Sequence, residues 1–167
     1  MHRKLKDTPL GTPEQFNVVV EIPRGSVDKI EYDENKDEMH VDFVFKDGFT
    51  FQYNYGFIPH TRTDDGDTLD AILLGTKPMA SGTVVLCRPI GVMRQIDRGQ
   101  VDDKIIAVPV GDKETQKYQS VEDISQEEIK QFILFYAEVA RQKQKTIEIT
   151  GFEDKDKAIE AIRKAMI

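Results

Sequence analysis

The chain has 167 residues, 39% of them hydrophobic and 32% charged, with a formal net charge of −7. Such a composition describes a folded domain with a sizeable core and excludes a disordered chain, and no apolar run reaches the ~20 residues that span a bilayer. The acidic balance argues against a non-specific nucleic-acid binder, which needs a basic stripe.

Residues 1–15, with Pro9, Gly11 and Pro13, read as an arm on the surface. The basic start is followed by no apolar segment of the kind a secretory signal carries. Phe16 to Ile22 is a β-branched run that predicts a strand closed by Pro23 and Gly25, with the acid Glu21 inside it. Lys29 to Asp33 alternates with period two, which puts Lys29 and Glu31 on one face; taken alone, that pair reads as a solvated ion pair. Met39 to Phe45 predicts a third strand and Phe49 to Tyr53 a fourth, with Asn54 to Pro59 read as an aromatic turn.

Asp64-Asp65-Gly66-Asp67-Thr68-Leu69-Asp70 follows, and the chain is organised around it. Carboxylates this dense repel one another unless solvent screens them or a multivalent cation sits among their oxygens. Asp65, Asp67 and Asp70 are the informative members, because Gly66 permits a tight turn and Asp70 opens the apolar run that ends at Leu74. An acidic turn ending a hairpin is the bland alternative. A calcium loop of the EF-hand type fails, since Leu69 and the glycine stand at the wrong positions. Oxygen ligands suit hard divalent cations, and the scattered His2, His40 and His60 lack the spacing of a zinc site.

Thr83 to Met93 predicts a long strand bent at Pro89 or Gly91, leading to a second acidic turn with Asp97, Asp102, Asp103 and Lys104. Cys87, the single cysteine, reads as a core thiol and fits a reducing cytoplasm. Ile105 to Val108 is another strand. The period then changes: Ser125 with Glu128 is a capping box, and Ile129, Phe132, Ile133, Tyr136 and Ala140 recur at helical spacing, predicting a helix over about 125–143. Thr146 to Thr150 reads as a last strand, and Ala158 to Met166 as a final helix. Strands followed by helices, without repeats or linkers, give an α+β fold in one domain, 1–167, with a closed or partly closed barrel. In a barrel, the two acidic turns and the strand acids would converge on one mouth. There they would form a polynuclear metal site, with Lys29, Lys104 and Tyr55 placed to meet an anionic substrate.

Five segments carry a resemblance: Glu21-Ile22-Pro23, Lys29-Ile30-Glu31-Tyr32, Asn54-Tyr55-Gly56-Phe57-Ile58, Asp65-Gly66-Asp67-Thr68-Leu69-Asp70 and Asp102-Asp103-Lys104. In order and spacing they resemble the soluble inorganic pyrophosphatases of family I, from about residue 15 to 152. The resemblance implies an OB-type five-stranded β-barrel with two peripheral helices, hydrolysing pyrophosphate to two orthophosphates with Mg2+. It implies that Asp65, Asp70 and Asp102 hold the principal metal, and that Asp67 orients and deprotonates the attacking water. Asp97, with Asp102, Glu31 and Glu21, would surround the substrate-borne metals, while Lys29, Lys104, Tyr55 and Tyr136 would contact phosphate or shape the site. Bacterial members form hexamers, which implies a homo-oligomer, although interface histidines are not evident near Gln131 and Phe135.

The departures from the pattern fall on the cationic wall. Phe43 stands where the family has a phosphate-gripping arginine, Phe51 replaces a tyrosine, Ala137 replaces a lysine and Thr68 a proline. Arg141, Lys143 and Lys145 are candidates for the missing charge, because the segment from Tyr136 to Gly151 is two residues longer than in bacterial relatives. Two rival readings follow: a weakly active paralogue with an intact metal site or a different phosphoanhydride substrate, and a non-enzymatic OB-type binding module.

Overall fold

The computed structural model describes residues 3–167, so His2 lies outside the described residues. Among the described residues the order is β1 (Gly11–Thr12), β2 (Gln15–Ile22), β3 (Asp28–Asp33), β4 (Glu38–Val44), β5 (Asn54–Ile58), β6 (Leu69–Leu73), β7 (Val84–Asp97), β8 (Gln100–Val101), β9 (Lys104–Pro109), α1 (Gln126–Lys143), β10 (Ile147–Asp154) and α2 (Lys155–Ala165). Strand β2 pairs with β5, β5 with β6, β6 with β9, β9 with β7, and β7 again with β2. That ring is a closed five-stranded barrel of the OB type. The β6–β9 pair is parallel and the other ring pairs are antiparallel. Strands β3 and β4 form a separate hairpin, and β10 extends the sheet from β7.

The barrel strands are apolar on both faces because each face meets a core. Ala71, Leu73, Ile105 and Ala107 join a cluster with Ala158 and Ile162 of α2. Their neighbours Ile72, Leu74, Ile106 and Val108 join a second cluster with Phe132, Phe135, Tyr136 and Val139 of α1. Full burial of one such side chain contributes about 1.5–3 kcal/mol. Cys87 is fully buried in the first cluster, as a core thiol should be.

Most of the expected elements are present. The bend in β7 is a register shift between Pro89 and Gly91, and α1 begins where the Ser125 hydroxyl accepts from the Glu128 amide at 3.1 Å. Strand β10 runs beyond the expected Thr150 through an irregularity between Ile149 and Gly151.

Two expectations are corrected. Phe49 to Tyr53 is not a strand, and the predicted turn from Asn54 begins with strand β5. The alternating aromatics of 49–53 pack on α1 instead: Phe49 and Phe51 each lie 5.1 Å from the Phe135 ring, and Tyr53 lies 4.9 Å from Phe132. Period two here reflects ring packing, not a ladder. The following segment can enter the barrel because Gly56 lets β5 press against β2; a Cβ at Gly56 would stand 2.1 Å from the Val19 carbonyl oxygen. Asn54 supports the entry from within, accepting from the Arg24 and Met79 amides at 2.8 and 2.9 Å.

Candidate active site

The acidic turn builds itself from short-range bonds. Gly66 takes φ +88°, and its amide donates to the Thr63 carbonyl at 2.9 Å while the Thr63 amide donates to Asp67 O at 2.8 Å. Asp65 caps the turn, its Oδ1 accepting from the Asp67 amide at 3.0 Å and from the Thr63 hydroxyl. The buried Thr61 hydroxyl accepts from the Leu69 amide at 2.9 Å, fixing the start of β6. Asp67 and Asp70 are thereby presented to a cleft of about 470 Å³ that Glu21, Lys29, Glu31 and Tyr55 also line.

Asp70 and Lys104 are register partners across the parallel β6–β9 pair. Lys104 is buried, and its Nζ donates to Asp70 Oδ2 at 2.9 Å, to the Tyr55 hydroxyl at 2.7 Å and to Asp102 at 3.1 and 3.2 Å. Tyr55 donates in turn to Asp70 at 2.6 Å. Burial alone would lower the Lys104 pKa, but Asp70 and Asp102 outweigh it and hold the ammonium charged. Burial, followed by the Asp70 charge, pushes the Tyr55 phenol well above its ordinary value. Tyr136 is raised by its burial, opposed by Lys104, which places its phenol within the field of the same group.

The remaining carboxylates crowd one another. Burial first, and then the Asp70 charge, push Glu21 up to about 8, although its Oε2 accepts from the Tyr32 amide at 2.9 Å. Asp67 is raised by its partial burial and by Asp65, Asp70, Glu31 and Asp102. Asp102 is raised by burial against the pull of Lys104. Asp97 stands apart: burial would raise it, but Lys145 Nζ at 2.7 Å and Arg98 at 3.2 Å hold it below the ordinary carboxylate range.

Of the residues singled out in sequence, Glu21, Lys29, Glu31, Tyr55, Asp67 and Asp70 share the cleft, and Lys104, Asp102 and Tyr136 lie behind Asp70. Asp65 is turned into its own loop and Asp97 towards Lys145. The expected Lys29–Glu31 ion pair forms at 3.8 Å. Sequence reasoning missed Asp42, whose Oδ2 meets Lys29 at 3.2 Å and Lys143 at 3.4 Å; alternation along β4 was its only signal. It also missed Arg94, which turns Asp103 away from the cleft by pairing with it at 2.8 Å and with Glu153 at 3.0 Å.

The inorganic pyrophosphatase family model matches residues 18–167. This chain belongs to the inorganic pyrophosphatase family. The inorganic pyrophosphatase of Thermus thermophilus is 35% identical over 164 residues, covering 95% of this chain and 94% of that protein. Soluble inorganic pyrophosphatase 1 of Arabidopsis thaliana is 34% identical over 156 residues, 93% of this chain and 74% of its own length. The crystal structure of the Thermus thermophilus enzyme superposes with a TM-score of 0.90 at 33% identity, over 98% of this chain and 97% of that one.

Family membership implies a divalent metal cofactor, and the donor chemistry of the cleft fits one. Glu21, Glu31, Asp67 and Asp70 offer carboxylate oxygens alone, the preference of hard cations, and the raised Glu21 and Asp67 carboxyls carry repulsion that such a cation relieves. Among the described residues no three His, Cys, Asp or Glu side chains are already drawn together as a cage. Lys104 instead occupies the space between Asp70 and Asp102.

Proposed function

We propose that this chain hydrolyses inorganic pyrophosphate to two orthophosphates with Mg2+, in one domain spanning 1–167. The observation that carries the proposal is the cleft itself, where Glu21, Asp67 and Asp70 of the barrel and its acidic turn meet Lys29 and Glu31 of the β3–β4 hairpin beside the Tyr55 hydroxyl. Asp65, Asp70, Asp97, Asp102, Glu21 and Glu31 are the residues that would hold the ions. When bound, divalent ions neutralise the pyrophosphate charge and acidify the attacking water.

The chain's own residues do the rest. The Asp67 carboxylate takes the proton of the water as its oxygen attacks phosphorus; the bridging P–O bond then breaks and its electron pair leaves on orthophosphate. A raised carboxyl pKa suits a general base better than an ordinary one, because it lies nearer the working pH. Lys29 and Lys104 offer ammonium charge and Tyr55 a hydroxyl to phosphoryl oxygens, and Tyr136 shapes the wall behind them. Asp70 and Asp102 hold the Lys104 ammonium charged beside the Tyr55 hydroxyl.

Phosphate release from pyrophosphate, ATP and tripolyphosphate, with and without Mg2+, tests the reading. Release from pyrophosphate that stops on chelation is expected. Release indifferent to chelation, or absent, overturns it; preference for tripolyphosphate or ATP would select the altered-substrate paralogue.

A homo-oligomer, with the family's hexamer as first expectation, is supported by the exposed Ile133 and Leu134 on the outer face of α1. Light scattering on a sizing column tests it. A cytoplasmic location is supported by the free, buried Cys87.

A further inference from the structure

The segment that follows Tyr136 carries three cations, and the structure gives each a different situation. Arg141 is held by Glu138, with Nε and Nη2 donating at 2.7 and 2.6 Å, and reaches outward to Asp47. Lys145 is matched to Asp97 at 2.7 Å. Lys143 is not matched in this way: the Asp42 oxygen that it approaches at 3.4 Å is already taken by Lys29 at 3.2 Å. Two ammonium groups share that one carboxylate oxygen, and of the two only Lys29 has, among the described residues, a further carboxylate, Glu31, at 3.8 Å. Burial, with the charges of Lys29 and Lys145, holds Lys143 below an ordinary lysine.

This arrangement is built rather than incidental. Lys143 Nζ lies 5.6 Å from the centre of the Phe43 ring, and Phe43 is the register partner of Lys29 across the β3–β4 hairpin. The aromatic face thus sets Lys143 beside Lys29, which lines the cleft. At the end of α1, Gln144 adopts the left-handed conformation at φ 53°, with its amide donating back to Ala140 and Arg141, which fixes the direction in which Lys143 leaves the helix. A helix-end lysine that served the dipole alone would extend into solvent. This one is directed at the Asp42 oxygen that Lys29 also meets, which brings two ammonium groups together beside the cleft that Lys29 lines.

We infer that Lys143 is a substrate-binding residue, gripping a terminal phosphoryl group of an inorganic diphosphate together with Lys29 and using Phe43 as its platform. The inference rests on the pyrophosphatase reading and adds to it a residue at the C-terminal end of α1.

The test compares wild type with Lys143→Met, Lys143→Arg and Arg141→Met. Methionine keeps an unbranched stem on Phe43 while removing the charge, and thermal midpoints check that each variant folds. With Mg2+ present, calorimetry with methylenediphosphonate, which cannot be hydrolysed, reads binding separately from turnover. For Lys143→Met, Kd for this probe and KM for pyrophosphate should rise about tenfold or more, with kcat changed much less. Lys143→Arg should recover most of the loss, and Arg141→Met should stay close to wild type. Unchanged Kd and KM in Lys143→Met, beside a wild type that hydrolyses pyrophosphate, would sink the inference and leave the reading intact. Lys143-dependent binding by a wild type that releases no phosphate would sink the reading alone, and a wild type that neither binds nor hydrolyses would sink both.

Discussion

Lys104 and Asp70 face each other across the parallel β6–β9 pair, their charged atoms 2.9 Å apart, and Asp102 closes on the same ammonium at 3.1 Å. The barrel therefore holds two acids of the site around one lysine. Removing one partner of a buried ion group leaves uncompensated charge, at a cost of several kcal/mol. Lys104→Met should accordingly lower the unfolding free energy of metal-free protein by about 3 kcal/mol in urea titrations. Added Mg2+ should recover more stability in the variant than it adds to wild type, since the freed carboxylates gain a cation. Equal recovery in both proteins would show that Asp70 and Asp102 do not hold the metal.

Asp67→Asn separates chemistry from folding. Asp67 is exposed in a turn, so the amide should change stability by no more than about 0.5 kcal/mol. Loss of the general base should lower kcat by roughly 10²-fold or more. Because Asp67 is raised above an ordinary aspartate, the acid limb of the wild-type rate profile should sit higher than such a residue would give, and that limb should vanish in the variant. Near-normal turnover in Asp67→Asn would assign the base elsewhere.

Glu21 links the site to stability against pH. Its folded pKa is about 8, above the ~4.3 of an exposed glutamate in an unfolded chain, so between these values the folded state holds the extra proton. The Glu21 contribution therefore favours folding at low pH and is lost as pH rises from about 4 through about 8. With chelator present, wild-type stability should fall across that window relative to Glu21→Gln, and Mg2+ should reduce the difference. A parallel pair of stability curves would refute the assignment.

Gly56→Ala tests the close approach that admits β5 to the barrel. The new methyl would meet the Val19 carbonyl oxygen at 2.1 Å, a backbone atom that cannot rotate away. The variant should lose about 3 kcal/mol or more, or fail to accumulate as folded protein. A midpoint within about two degrees of wild type would show that β2 and β5 separate easily.

Local signals make part of this fold and site legible in the amino-acid sequence. Ser125 and the apolar spacing of α1 give the helix, because caps and periodicity act within a turn or two. The Glu128 carboxylate accepts from the Tyr118 hydroxyl at 2.8 Å and does not complete the expected capping box. The acidic turn is equally local, so Asp67 and Asp70 stand out. Phe49 to Tyr53 mislead because rings that pack on a helix repeat like a strand, and β5 is hidden because its glycine and asparagine resemble a turn. The Asp70–Lys104 partnership depends on register between residues 34 apart in the chain, which no local pattern encodes; the order of the motifs supplies it. Asp42 has no such help, and its role follows only from the placing of the end of α1 beside β4.

The parallel pairing of β6 with β9 also shapes how the site comes into existence. Strand β6 can zip against β5 and β9 against β7, but β6 and β9 meet each other only when a long loop closes, which makes their pairing a later event in folding. Asp70 and Lys104 meet only when that loop closes, so a partly folded chain has the acidic turn without its counter-charge. The capacity to hydrolyse pyrophosphate would then appear in step with barrel closure, giving folding kinetics a chemical clock in the release of phosphate.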